Sequence, residues 1–290
     1  MAANGIIVID KPEGWTSMDV CAKLRGILRE KRIGHAGTLD PMATGVLPVF
    51  VGRATRAVEF ASESEKEYIA GLKLGVITNT QDTSGEVLEE RPVNITADRL
   101  ETVLTQFRGN IEQIPPMYSA IKINGKKLYE LARKGREVER KPRPVTIHAL
   151  TIEDQIAPDH FILRVRCSKG TYVRTLCHDI GLALGCGGTM ASLRRTMAAG
   201  FTLEQSVTLE QIQAHELPQQ LLMGVDSYFS HYPPLTVNAG IEKKIRNGMT
   251  CALPDTPVDT YRVYNQDGNF LAVSRMEQGK LLTVKSFFEV

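Results

Sequence analysis

The stretch GHAGTLDPMATGVLPV, residues 34–49, surrounds one acidic residue with residues that bend or stiffen the backbone. Asp40 is the only acid in this stretch, and Pro41 follows it directly. Gly37 and Gly45 allow the backbone to approach a ligand closely. An Asp in such a loop usually forms a turn or caps a helix. The other interpretation, which the spacing alone leaves open, is a carboxylate presented as a nucleophile or general base.

Length and composition are those of an ordinary globular protein. The 290 residues suffice for one large core or for a main domain with a smaller one, and 42% are hydrophobic. We expect no membrane span and no signal peptide. Five cysteines without a C-x-x-C pair argue against a disulfide framework and against a zinc knuckle. The expected compartment is therefore a reducing cytoplasm.

Positive charge is concentrated in two segments of a chain whose net charge is only +2. Residues 117–146 carry nine Lys or Arg against three Glu, and residues 164–195 carry six against a single Asp. Residues 81–116 and 200–240 each have a net charge of −4. One charged segment is usually a solvated surface, but two basic segments on a nearly neutral chain indicate a polyanionic partner such as nucleic acid.

The hydrophobic pattern predicts an α+β fold with a substantial antiparallel component. Residues 118–135 are predicted to form a strand, an Asn-Gly turn and a helix. The remaining predicted strands are residues 5–10, 46–52, 67–75, 144–155 and 160–168, and the remaining predicted helices are residues 16–28, 96–109 and 171–185.

A domain boundary is predicted at residues 217–234, which contain three prolines and no Lys or Arg. The chain after it has short apolar runs separated by Asp-Gly and Gln-Gly turns, the pattern of small antiparallel strands. We therefore expect a main domain over residues 1–225 and a small β domain over residues 235–290.

Two further residues allow both a structural and a functional interpretation. Arg174, in SKGTYVRTL, is either a surface residue at the start of a helix or the partner of a buried carboxylate. An Arg beside Asp40 would hold it ionised and lower its pKa by about 1–3 units. Tyr68 is either a core aromatic of a strand or the face on which a flipped base stacks.

A thiol hydrolase is a further possibility, because CHDIG places Cys177, His178 and Asp179 next to one another. Neighbouring residues of a predicted helix point in different directions and cannot form a relay. We therefore reject this interpretation.

Long segments of the chain resemble the TruB family of bacterial tRNA pseudouridine-55 synthases. The resemblance rests on GIIVIDKPEGWTS, KRIGHAGTLDPMATGVLPVFVGRAT, EYIAGLKLG, QFRGNIEQIPPMYSAIKINGKKLYELARKG, CSKGTYVRTL and GTMASLRR, in the order of the family. It implies a mixed, mostly antiparallel central sheet flanked by helices, with the active cleft across its middle. The last third is less diagnostic and is compatible with a small PUA-like domain.

The resemblance also implies roles for residues in the cleft. Asp40 matches the catalytic aspartate of the family, and Arg174 matches the arginine that pairs with it. Tyr68 matches the tyrosine that stacks on the target base. Tyr172 and Leu193 match residues that line the uracil pocket.

Three further features are implied to act on the RNA or on the catalytic loop. His35 matches the histidine that enters the tRNA T-loop and replaces displaced bases. Lys11 matches a lysine that supports the active-site loop. Residues 117–144 match an insertion that closes over the RNA like a thumb.

The implied reaction is isomerisation of uridine to pseudouridine at position 55 of tRNA. It needs no redox or phosphate chemistry, so we expect no cofactor and no metal. The expected partner is the T-arm of tRNA, and the expected state is a monomer. Two alternatives stay open: a non-catalytic tRNA-binding or tRNA-folding module, and a guide-dependent synthase that modifies ribosomal RNA.

Overall fold

The computed structural model describes residues 3–123 and 125–288. The strands are β1 Gly5–Lys11, β2 Ile33–His35, β3 Thr44–Val51, β4 Lys66–Leu74, β5 Val76–Thr78, β6 Val87–Glu90, β7 Gly109–Gln113, β8 Lys122–Ile123, β9 Lys126–Lys127, β10 Arg143–Ala157, β11 His160–Cys167, β12 Gly188–Ala198, β13 Phe201–Thr202, β14 Pro234–Thr236, β15 Cys251–Ala252, β16 Thr260–Tyr264, β17 Phe270–Glu277 and β18 Lys280–Ser286. The α-helices are α1 Ser17–Leu28, α2 Val58–Ser62, α3 Ala97–Leu104, α4 Leu128–Ala132, α5 Val173–Leu184, α6 Leu209–Ala214 and α7 Ala239–Arg246. None of these helices is long and apolar enough to cross a membrane.

The largest sheet has nine strands in the order β1-β3-β12-β4-β11-β10-β7, with β2 paired to β3 and β13 paired to β12. Its pairings are antiparallel except for that of β3 with β12, which is parallel. A second sheet has the order β14-β16-β17-β18-β15. The predicted α+β class with a mixed, mostly antiparallel central sheet is confirmed.

Two clusters of apolar side chains pack helices against the main sheet. Helices α3 and α5 cover β4, β11 and β12 on one side, and α1 and α6 cover β1 and β3. Helix α1 begins where its sequence predicts, because Thr16 and Asp19 form a reciprocal capping box. The first cluster brings the loop after β2, the start of β4 and the start of α5 together, because it contains Leu39, Tyr68 and Val173.

The sequence-based prediction was wrong at two elements. The helix predicted over residues 96–109 ends at Leu104, continues as a 3₁₀ turn and gives way to β7 at Gly109. The central strand β12 was not predicted, because it starts with glycine and carries two consecutive arginines. Two of its polar residues, Thr189 and Arg195, are buried inside the protein. The predicted Asn-Gly turn includes Asn124, which lies outside the described residues.

The segment that precedes the second sheet is attached to the main sheet. Ile6 of β1 exchanges backbone hydrogen bonds with Met223, and Val207 forms backbone hydrogen bonds with β1 as well. These contacts cover the edge of the main sheet at β1. Phe229 then joins the two sheets. Its ring lies 5.4 Å from Phe60 of α2 and 5.6 Å from Phe287, which follows β18.

Phe229→Ala should destabilise the protein because the ring is fully buried between the two sheets. Truncation of a buried Phe costs about 3–5 kcal/mol of the free energy of unfolding. Urea unfolding of the purified variant measures this loss. The control is Leu88→Ala, at an exposed position of β6, which should change stability by less than about 0.5 kcal/mol. Equal midpoints for the two variants would contradict the assigned role of Phe229.

Candidate active site

Asp40 lies in the loop between β2 and β3, and hydrogen bonds hold the backbone on both sides of it. The Leu39 N–H donates to Ser17 Oγ over 2.9 Å, and the Ala43 N–H donates to the Asp40 carbonyl over 3.0 Å. The Gly14 N–H donates to the Pro41 carbonyl over 2.8 Å. These hydrogen bonds therefore hold the loop in the conformation that presents the Asp40 carboxylate.

Lys11 lies under this loop and is 0% exposed. Its Nζ donates to the carbonyls of Pro12, Trp15 and Pro41 over 2.8, 2.6 and 3.2 Å. Burial lowers the pKa of Lys11 to about 8. Because the ammonium bonds to the carbonyl directly after Asp40, it joins the end of β1 to the Asp40 loop. This geometry is compatible with the supporting role that the resemblance implies.

Arg174 lies in the first turn of α5 and forms an ion pair with Asp40. Its Nε is 3.0 Å from Asp40 Oδ2. The Arg174 side chain is 6% exposed, whereas the Asp40 side chain is 39% exposed. The structure thus brings these two residues together, with the guanidinium buried and the carboxylate partly exposed to solvent.

A second acid, Asp82, lies on the other side of the same guanidinium and was missed by the sequence analysis. Arg174 Nη1 is 3.5 Å from Asp82 Oδ2, and the Asp82 side chain is 6% exposed. Asp82 Oδ1 accepts hydrogen bonds from Thr80 Oγ1 and from the Ser84 N–H and Oγ. In the sequence, Asp82 is marked only by the Ser and Thr residues around it. Such residues are common in ordinary turns and do not indicate a functional site.

The remaining donors of Arg174 bind backbone carbonyls. Nη1 donates to the Thr80 carbonyl over 3.1 Å, and Nη2 donates to the Tyr118 carbonyl over 2.9 Å. Tyr118 belongs to residues 117–144, so the guanidinium also joins the cleft to the start of that segment. A planar guanidinium, whose N–H donors point in fixed directions, suits this set of partners better than an ammonium does.

The pKa of Asp40 is raised above its ordinary value, in contrast to the lowering predicted from the sequence. Burial of the carboxyl is the largest cause, and the charge of Asp82 adds to it. The charges of Arg174 and Lys11 lower the pKa but do not cancel the burial. Desolvation penalises the charged form of a carboxyl, and a raised pKa makes the ionised form a better base and nucleophile.

Tyr68, Leu193 and Tyr172 lie around Asp40. Tyr68 of β4 and Leu193 of β12 belong to the same apolar cluster as Leu39, the residue before Asp40. The Asp40 charge acts on both tyrosines, raising the pKa of each, although burial is the larger cause. These side chains therefore form apolar and aromatic walls beside the carboxylate, as a pocket for a nucleobase requires.

Tyr172 is held by its backbone at the start of α5. The buried Gln113 side chain accepts from the Tyr172 N–H over 3.0 Å and donates to the Tyr172 carbonyl over 3.2 Å. Gln113 ends β7, immediately before the segment 117–144. The sequence analysis did not identify this amide, because an isolated Gln at the end of a short strand carries no functional signal.

His35 lies on β2, at the entrance to the loop rather than beside the carboxylate. It is half-buried, and burial together with the Arg195 charge lowers its pKa. The ring is therefore neutral at pH 7, which suits packing against bases better than pairing with phosphate. Between described residues, no ion pair or hydrogen bond joins His35 to Asp40.

The thiol alternative has no support in the geometry. Cys177 is buried in the apolar cluster, and burial raises its pKa to about 12. A nucleophilic cysteine needs a lowered pKa and access to substrate. Among the residues that the structure describes, no group of three or more His, Cys, Asp and Glu is arranged to hold a metal ion.

Asp82→Asn should lower the pKa of Asp40, because it removes a negative charge that raises that pKa. The acid transition of Asp40 should therefore move to lower pH. Carbon-13 NMR of the labelled Asp40 carboxyl measures it directly. The control is Asp159→Asn, which removes an acid paired with Lys73 on β4 and should leave the Asp40 titration unchanged. An unchanged or upward-shifted Asp40 titration in Asp82→Asn would contradict the shared-guanidinium geometry.

Comparison with known proteins places the chain in a family. Residues 25–173 match the family model described as TruB family pseudouridylate synthase (N terminal domain). Residues 174–229 match the one described as tRNA pseudouridylate synthase B C-terminal domain.

Curated relatives are similar along nearly their whole length. A protein of Clostridium kluyveri named tRNA pseudouridine synthase B is 43% identical over 289 residues, covering 98% of this chain and 99% of the relative. The protein of the same name from Cupriavidus metallidurans is 44% identical, covering 96% of this chain and 92% of the relative.

Solved structures share the fold. A chain of a Cbf5–Nop10–Gar1 complex aligns with a TM-score of 0.75 and 26% identity, covering 99% of this chain and 86% of that chain. A chain of the archaeal box H/ACA Nop10–Cbf5 complex aligns with a TM-score of 0.72 and 25% identity, covering 99% and 87%. The family models and the full-length relatives together show that this chain belongs to the TruB family of pseudouridylate synthases.

Proposed function

We propose that this protein isomerises the uridine at position 55, in the T-loop of tRNA, to pseudouridine. The observation that carries the proposal is the partly exposed Asp40 carboxylate, which is held in an ion pair by the buried Arg174. Membership of the TruB family and the relatives named tRNA pseudouridine synthase B support the choice of reaction and substrate.

The chemistry exchanges one bond of the nucleoside for another. The bond from C1′ of the ribose to N1 of uracil breaks, the base turns, and a bond from C1′ to C5 forms. A proton leaves C5 and a proton is taken up at N1, so the product is an isomer of the substrate. Asp40 assists bond exchange as a carboxylate, and its ionised form is the reactive one.

The pocket walls suit a uracil that has been flipped out of the RNA. Tyr68 offers a ring face for stacking, and Leu193 and Tyr172 enclose the base from the sides. Extrusion of a stacked base costs a few kcal/mol, which these contacts offset. His35, neutral and at the entrance to the loop, is placed to occupy the position that the flipped base leaves.

Basic segments outside the pocket are proposed to bind the phosphates of the T-arm. Residues 117–144 form a thumb that starts at the Tyr118 carbonyl bound by Arg174. Such contacts make RNA affinity strongly dependent on salt. We assign residues 1–225 to the catalytic domain and residues 235–290 to a PUA-like RNA-binding domain. We also propose a monomer that acts in the cytoplasm and needs no cofactor.

A guide-dependent synthase of ribosomal RNA is the second candidate, favoured by the structural similarity to chains of Cbf5 complexes. Identity to the Cbf5–Nop10–Gar1 chain is 26%, whereas identity to the two relatives named tRNA pseudouridine synthase B is 43% and 44%. The higher identity over the full chain favours tRNA as the substrate.

Asp40→Asn should abolish turnover while leaving the fold and tRNA binding intact. Folding raises the pKa of Asp40, so at neutral pH its ionised form contributes no stability that the amide would remove. Tritium release from tRNA labelled at C5 of uridine measures turnover, and filter binding measures affinity. Asp159→Asn is the matched control on the surface. Normal tritium release by Asp40→Asn would contradict the proposal.

Tyr68→Leu should reduce turnover more than affinity, because it removes a stacking face but no phosphate contact. Stacking of a base on an aromatic ring contributes about 1–3 kcal/mol, so the single-turnover rate should fall by about tenfold or more. The same two assays separate the rate from the Kd. A normal rate with a weakened Kd would show that Tyr68 acts in binding and not in positioning the base.

A further inference from the structure

Arg195 is a buried guanidinium for which the proposed reaction has no assigned use. Its side chain is 1% exposed and lies on β12, in the middle of the main sheet. No carboxylate of a described residue forms a salt bridge with it, although Arg174 and Arg194 both have acidic partners. A buried charge without a counter-ion is costly unless hydrogen bonds satisfy it, so its donors indicate what it is for.

The donors of Arg195 bind the Asp40 loop on both sides of the catalytic residue. Nε donates to the Val46 carbonyl over 2.7 Å, and Nη2 donates to the Gly37 carbonyl over 3.0 Å. Gly37 precedes Asp40 in the loop and Val46 follows it in β3. One guanidinium therefore spans the loop and fixes the separation of its two ends.

Arg195 also contacts the residue proposed to stack on the base. In the sheet, Arg195 pairs with Tyr68 of β4 on one side and with Gly45 of β3 on the other. The Arg195 charge acts on the Tyr68 hydroxyl and counteracts the rise in its pKa that burial causes. The backbones are close here: a Cβ on Gly45 would lie 2.2 Å from the Arg195 carbonyl oxygen, and Gly45 has φ +99°. The strand that carries Tyr68 and the strand that follows the Asp40 loop are thus joined through this one residue.

We propose that Arg195 is a positioning residue that holds the Asp40 loop and the Tyr68 ring at a fixed separation while the uridine is isomerised. The inference rests on the proposed function and goes beyond it, because Arg195 is beneath the pocket and does not belong to its walls. A charged fork directed at two separate carbonyls gives strong bonds with defined directions. A lysine at the same position has one ammonium and cannot bind the Gly37 and Val46 carbonyls with the same geometry.

Arg195→Lys tests this role, because it keeps the charge and removes the fork. Misplacement of reacting groups by about 1 Å can reduce a rate on the order of 10²-fold. We therefore expect the single-turnover rate of pseudouridine formation to fall on that order, with an unchanged Kd for tRNA. Hydrogen–deuterium exchange of the free protein should quicken in peptides over residues 36–48 and stay unchanged in peptides of α5.

The matched control is Val263→Ala, which truncates a fully buried residue of the second sheet. Compared at the same decrease in Tm as Arg195→Lys, this control should keep the wild-type single-turnover rate. It should also keep the slow hydrogen–deuterium exchange of residues 36–48. If the single-turnover rate of Arg195→Lys falls no further than the rate of Val263→Ala, the inference is overturned. Unchanged exchange in residues 36–48 would overturn it as well.

Tyr68→Phe provides a second test should Arg195→Lys not fold. It removes the hydroxyl that meets Arg195 and keeps the ring for stacking. We expect a slower single-turnover rate at unchanged Kd, and a wild-type rate would overturn the coupling between Arg195 and Tyr68. If the wild-type protein itself forms no pseudouridine, the proposed function fails. If it does and Arg195→Lys behaves like the control, only the inference about Arg195 fails.

Discussion

The site depends on one buried guanidinium shared by two carboxylates. Arg174 lies between Asp40, which faces the cleft, and Asp82, which is enclosed by the turn that holds it. Arg174 and Asp82 are both buried, and separating such a pair would leave an uncompensated charge at a cost of about 3–5 kcal/mol. Moving Arg174 away from the two carboxylates therefore costs free energy. The position of Arg174 in turn determines the position of the Asp40 carboxylate.

The fold makes this arrangement possible by bringing four distant segments together. The loop after β2 carries Asp40, the turn after β5 carries Asp82, the start of α5 carries Arg174, and the segment after β7 supplies the Tyr118 carbonyl. Strand β12 lies between β3 and β4 and holds the first of these segments against Tyr68. Arg174 thus arranges the charges of the site, whereas Arg195 sets its backbone geometry.

The sequence predicted features whose cause is local and missed those whose cause is tertiary. The Asp40 loop was recognisable because glycine and proline act on neighbouring residues, and α1 was recognisable from its cap. Asp82 was missed because only folding brings it to Arg174. Strand β12 was missed because its arginine and threonine are buried and bonded, which no alternation pattern reveals. The predicted direction of the Asp40 pKa shift was wrong because the prediction considered only the attraction to Arg174. Desolvation of the carboxyl has the larger effect, and its extent depends on how the folded protein packs around Asp40.

The most direct test of the account is a comparison of two unmodified tRNA transcripts incubated with the purified wild-type protein. One transcript carries uridine at position 55 and the other carries cytidine there. Mass spectrometry of nuclease fragments locates any pseudouridine. The account predicts one pseudouridine, at position 55 of the first transcript, and none in the second. Absence of pseudouridine from the first transcript, or its formation at another position in both, would contradict the account.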